Sequence, residues 1–84
     1  MTYDKVQEVV GKYLTILGAH DAEKDSVCTL CHVKWMLKEM SSWSRGTVKF
    51  SYKDKLQRWL GFVQGVFYVE DIYSIDEMRE HNRE

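Results

Sequence analysis

The chain has 84 residues, 12 Lys and Arg against 13 Asp and Glu, a formal net charge of −1, 44% apolar and 30% charged residues, and no proline. That balance belongs to a globular domain, the missing proline argues against a linker, and the length excludes a large two-domain enzyme. A chain this short buries roughly 60–65% of its unfolded surface, so one domain, residues 1–84, with a thin core is expected, and oligomerisation or a ligand is expected to add stability.

The charge is unevenly placed. Residues 1–25 hold three Lys and five acids. Residues 26–69 hold seven basic residues (Lys34, Lys38, Arg45, Lys49, Lys53, Lys55 and Arg58) against Glu39 and Asp54. Residues 70–84 hold six acids and two Arg. A basic centre between acidic ends reads either as solvated helix faces or as a central anion site.

In chain order, Val6, Val9, Val10, Tyr13, Leu14 and Leu17 recur on one face of an amphipathic helix. Thr2 is its expected N-cap, Asp4 suits the positive end of its dipole, and Gly18 is its expected stop. Residues 19–25 are polar and read as a loop, after which Asp25 or Ser26 is expected to cap a second helix. Its core face is Leu30, Val33, Met36, Leu37 and Met40, with Cys28, Cys31, His32 and Trp35 on an adjacent row. Ser41 to Gly46 breaks the pattern as a connection, and Thr47 to Phe50 alternates like extended chain.

A third helix is expected from near Ser51 to about Glu70. Leu56, Trp59, Leu60, Val63 and Phe67 form its main stripe, and Phe62, Val66 and Val69 a second. Ser74-Ile-Asp-Glu77 is a capping-box pattern opening a short fourth helix, with Ile75 and Met78 tucked against the body and a fraying tail from His81. No stretch alternates long enough to build a sheet. The fold class that follows is all-α: a small bundle of three main helices plus a short C-terminal helix. The polar start offers no secretory signal, and the apolar run Trp59 to Val69 is too short to span a bilayer. A cytoplasmic protein with reduced thiols and no membrane partner is therefore expected.

Cys28-Thr-Leu-Cys31-His32 has the spacing of a c-type haem attachment. The missing export signal argues against haem, as does the helix that Met36 and Met40 share with His32, since neither then reaches the far side of the iron. Zinc on Cys28, Cys31, His32 and a fourth ligand such as His20 lacks the paired knuckles of a structural site. A dithiol redox site would use Cys28 near a helix N-terminus. The bland reading, two half-buried free cysteines, is preferred, with no cofactor.

Gly61-Phe-Val-Gln-Gly65 places two glycines on one helical face. Each costs about 1 kcal/mol against alanine, and close approach of another helix, a ligand or a symmetry mate would offset it. Gln64 interrupts an apolar stretch and, if buried, needs partners. Three tryptophans in 84 residues are rich, and Trp anchors favour interfaces. No Gly-rich phosphate loop and no Ser/His/Asp layout stands out, and no basic recognition helix points to nucleic acid.

The strings His32-Val-Lys-Trp35-Met36-Leu37, Arg58-Trp-Leu-Gly-Phe-Val-Gln-Gly65 and Tyr73-Ser-Ile-Asp-Glu77-Met-Arg-Glu-His-Asn82 resemble a group of small phage-encoded helical accessory proteins. The resemblance implies a phage origin and a role in the host cytoplasm. It also implies a stoichiometric action: binding a host protein, or sequestering a nucleotide signal used in antiphage defence. It hands over no catalytic residue.

The expectation is a non-enzymatic, homo-oligomeric binding protein for a small anionic ligand or a host protein. His32, Trp35, Arg58, Trp59, Gly61, Gln64 and Gly65 are its candidate site, lining a groove between the second and third helices. Trp35 and Trp59 would offer flat apolar surface, Arg58 and His32 would meet an anion, and Gln64 would make a directed hydrogen bond. The alternatives are a metal or haem protein using Cys28, Cys31 and His32, and a small DNA-binding regulator.

Overall fold

The computed structural model describes residues 2–44 and 51–84, with side chains in the second segment from residue 54. It holds α1 (Tyr3–Ile16), α2 (Thr29–Ser42), α3 (Ser51–Val69) and α4 (Ile75–Asn82), the all-α bundle that the periodicity implies. Helix α1 is the hub and packs on each of the other three, while α2 also packs on α3. No described helix is long and apolar enough to cross a membrane. The extended reading of Thr47 to Phe50 lies outside the described residues.

The core is the sum of the apolar stripes. Val6, Val9, Val10, Tyr13 and Leu17 meet Val33, Met36, Leu37 and Met40, and against both lie Leu56, Leu60, Val63 and Phe67. Trp59, read as core stripe, is instead half-buried at the edge of this cluster. Among side chains of this size, full burial is worth roughly 1.5–3 kcal/mol each, which dominates the stability of so small a bundle.

Helix ends follow short-range chemistry. The Thr2 side chain accepts from the Lys5 N–H as expected. Gly18 does stand at the α1 stop, but no described glycine has a positive φ, so α1 ends without a left-handed residue. The cap of α2 is neither Asp25 nor Ser26. Ser26 Oγ accepts from the Cys28 N–H at 3.0 Å, a local turn that competes with helix, and the N-cap passes to Cys28, whose Sγ accepts from the Cys31 N–H at 3.3 Å.

Helix α3 ends in a Schellman motif. The Asp71 N–H donates to the Tyr68 carbonyl at 3.1 Å and the Ile72 N–H to the Phe67 carbonyl at 2.8 Å. Asp71 takes the left-handed conformation, φ 59°, at the position where glycine is usual. Ser74 and Glu77 close both halves of the expected capping box at α4. Two expectations there are corrected. Ile75 is exposed while Met78 is buried, because only Met78 falls on the face turned to α1. The tail does not fray: α4 runs to Asn82, His81 packs against Tyr13 and Tyr73, and Glu84 accepts from the Thr2 N–H at 2.6 Å.

Candidate functional site

Helices α2 and α3 bring three indoles together at one open groove of about 790 Å³. Trp35 lies on α2, and Trp43 is the extended C-cap residue that ends the same helix. Trp59 enters from α3, 6.0 Å from Trp35 and 5.0 Å from Trp43 between ring centroids. His32 extends the surface by stacking on Trp35 at 5.9 Å. Met36 and Phe62 complete the apolar lining, and Glu39 stands at the edge.

Two ammonium groups lie over these rings. Lys24 Nζ is 5.4 Å from the Trp35 centroid. Lys55 Nζ is 5.2 Å from Trp43 and 5.1 Å from Trp59. Each geometry is inside the range where a cation is drawn to an indole face. Lys55 reaches both because it is one turn before Trp59 on α3 and so leans over the same face. Lys24 comes from the α1–α2 connection. Its carbonyl is hydrogen-bonded by His32 Nδ1, and a carbonyl only accepts, so Nδ1 carries the proton.

The expected site residues separate. His32, Trp35 and Trp59 line the groove together. Arg58 is exposed and outside the groove lining. Gly61 and Gly65 are exposed, and a Cβ on either would meet nothing within 4 Å. The close helix approach expected to offset them is therefore absent among the described residues. Gly65 instead borders a smaller groove, of about 460 Å³, with Thr29, Phe62, Val66 and Val69.

Gln64 turns inward. It is 9% exposed and finds its partners inside the chain. Its Nε2 donates to Tyr13 Oη at 2.9 Å and to Asn82 Oδ1 at 2.7 Å, and its Oε1 accepts from Asn82 Nδ2 at 3.1 Å. Tyr13 Oη, which accepts from Gln64, also shares a hydrogen bond with His81 Nδ1 at 2.8 Å. The buried amide is thus satisfied by α1 and α4.

The cysteine motif also divides. Cys28 and Cys31 are free and half-buried. Their sulfurs gather with a ring nitrogen of His20, all within 4.8 Å of one another. His32 belongs to the indole groove instead, since consecutive helical residues point about 100° apart. The Cys28 thiol is held below its ordinary range by hydrogen bonds from the Cys31 thiol and the Cys31 N–H. The Cys31 thiol is raised, first by its hydrogen bond to the Cys28 sulfur and then by burial.

Lys24, Met36, Glu39, Trp43, Lys55 and Phe62 line the groove without being in the expected set. Spacing alone pairs Lys55 with Trp59, one helical turn apart, whereas no local pattern announces Trp43 or Lys24. Comparison of the chain with protein-family models, with curated proteins and with solved structures finds no match.

Proposed function

We propose that this chain is a non-enzymatic accessory binding protein of phage type, and that its indole groove sequesters a small, flat, anionic ligand of nucleotide character. The observation that carries the reading is the meeting of Trp35, Trp43 and Trp59 under the ammonium groups of Lys24 and Lys55. Indoles stack on a base at about 1–3 kcal/mol per base. Lysines beside them meet a phosphate as point charges. His32 adds a ring whose Nδ1 proton is committed to the Lys24 carbonyl. Stoichiometric capture of a nucleotide signal in the host cytoplasm, as a counter-defence, is the role in keeping with this chemistry.

Tryptophan fluorescence reports directly on the groove. Nucleoside monophosphates, nucleoside triphosphates and cyclic dinucleotides are titrated at low salt against the wild type, Trp59→Ala and Lys55→Ala. Saturable quenching by one class, weakened about 5- to 150-fold by Trp59→Ala, is expected. Quenching by none of the probes at millimolar concentration, or equal affinity in all three proteins, overturns the proposal.

A further inference from the structure

The connection between α1 and α2 carries a second site, of different chemistry. We infer that His20, Cys28 and Cys31 form a Zn²⁺ site that ties this connection to the first turn of α2.

The three donors come from two places in the chain. Cys28 and Cys31 are three residues apart at the start of α2, so both thiols share one face. His20 is delivered from the other end of the loop. Its N–H donates to the Leu17 carbonyl at 3.0 Å, and its own carbonyl accepts from Lys34 Nζ, which also holds the Gly18 carbonyl. The Glu23 N–H donates to the Cys31 carbonyl at 3.1 Å. The loop is therefore fastened to α2 by the Lys34 side chain and the Glu23–Cys31 backbone bond, which place the donors before any ion arrives.

Size and charge both fit zinc. With Zn–S about 2.3 Å and Zn–N about 2.0–2.1 Å, a tetrahedral site has donor–donor edges of about 3.5–3.8 Å. The donors here lie within 4.8 Å of one another, and side-chain rotations of about an ångström close the difference. Two thiolates neutralise the ion, and the N-terminus of α2 favours the thiolate form. The sulfur donors disfavour calcium and magnesium. Three protein donors leave the fourth position for water. The site differs from the haem-type and zinc readings of the motif in leaving out His32; His20, the example of a fourth ligand in the zinc reading, is here the nitrogen donor.

The test uses the full reduced chain, with Zn²⁺ alone as titrant. Native mass spectrometry and competition with a chromogenic chelator give stoichiometry and affinity, and Co²⁺ gives the thiolate charge-transfer bands of a tetrahedral site. One ion per chain is expected, with release of the two thiol protons. His20→Ala, Cys28→Ser and Cys31→Ser are each expected to lose about a hundredfold or more in affinity, while His32→Asn binds like the wild type. Serine is itself a strong N-cap, so Cys28→Ser keeps the helix start, and circular dichroism checks the fold of each variant. No stoichiometric uptake overturns the inference, as does a His20→Ala protein that binds like the wild type. A loss in His32→Asn equal to that in His20→Ala also overturns it. So does a Cys28–Cys31 disulfide formed in place of metal binding.

Discussion

Gln64→Ala tests whether the buried polar side chain found among the described residues of α3 is structural. The substitution removes three hydrogen bonds, two to Asn82 and one to Tyr13 Oη. At a net worth of about 1 kcal/mol each, the loss is about 3 kcal/mol before any cavity term. A domain of this size has a total stability of roughly 4–13 kcal/mol, so the loss is a large fraction of it. It corresponds to a fall in Tm of roughly 12–24 °C at about 4–8 °C per kcal/mol. Tyr13→Phe removes the bonds to Gln64 and to His81 Nδ1, for about 2 kcal/mol. The two substitutions share one bond, so the double variant is expected to fall short of additivity by about 1 kcal/mol. Urea and thermal unfolding followed by circular dichroism supply all four corners of the cycle. A Gln64→Ala protein melting within about 4 °C of the wild type refutes the reasoning and returns Gln64 to the list of ligand-binding candidates. Strict additivity refutes the coupling.

Three further predictions follow from the same packing. His81 is held below its ordinary range first by burial and then by Lys12, so the folded chain binds its proton less readily than the unfolded one. Stability should therefore decline as pH falls below about 6.5, and His81→Gln should flatten that decline in urea unfolding at stepped pH. Gly61→Ala and Gly65→Ala each place a Cβ in open space on a helix and should stabilise by about 0.5–1 kcal/mol; a destabilised variant in urea would show that this face is covered. Asp71→Gly relieves a left-handed residue at φ 59° and should raise stability by up to about 1 kcal/mol, whereas a lower Tm would mean that the Asp71 side chain supports the α3 stop.

Much of the fold was legible. The stripes of α1, α2 and α3 repeat at the helical period, and the capping box at Ser74 and Glu77 is written in four consecutive residues. Where the reading failed, a neighbour distant in sequence or a subtle local competitor decided. Ser26 closed a turn and surrendered the cap to Cys28. Asp71 did the work of a glycine, held there by the Schellman hydrogen bonds rather than by its own preference. The candidate groove was half legible: Trp35 and Trp59 were expected to meet, and the lysine delivered by the α1–α2 connection was not.

Determined by the sequence itself are the four helices, their faces and most of their caps, because these depend on residues within a turn of one another. What the tertiary structure alone decided is which row meets which. Helical periodicity assigns a side chain to a face but leaves the occupant opposite that face open. Packing then gave Gln64 to Tyr13, 51 residues away, and to Asn82, 18 residues away. It left Gly61 and Gly65 facing outward, gave Cys28 and Cys31 the company of His20, and turned His32 to the indoles. The motif read as a unit was divided because its adjacent residues point to different sides of one helix, and only the neighbouring loop and helix supply what lies on each side.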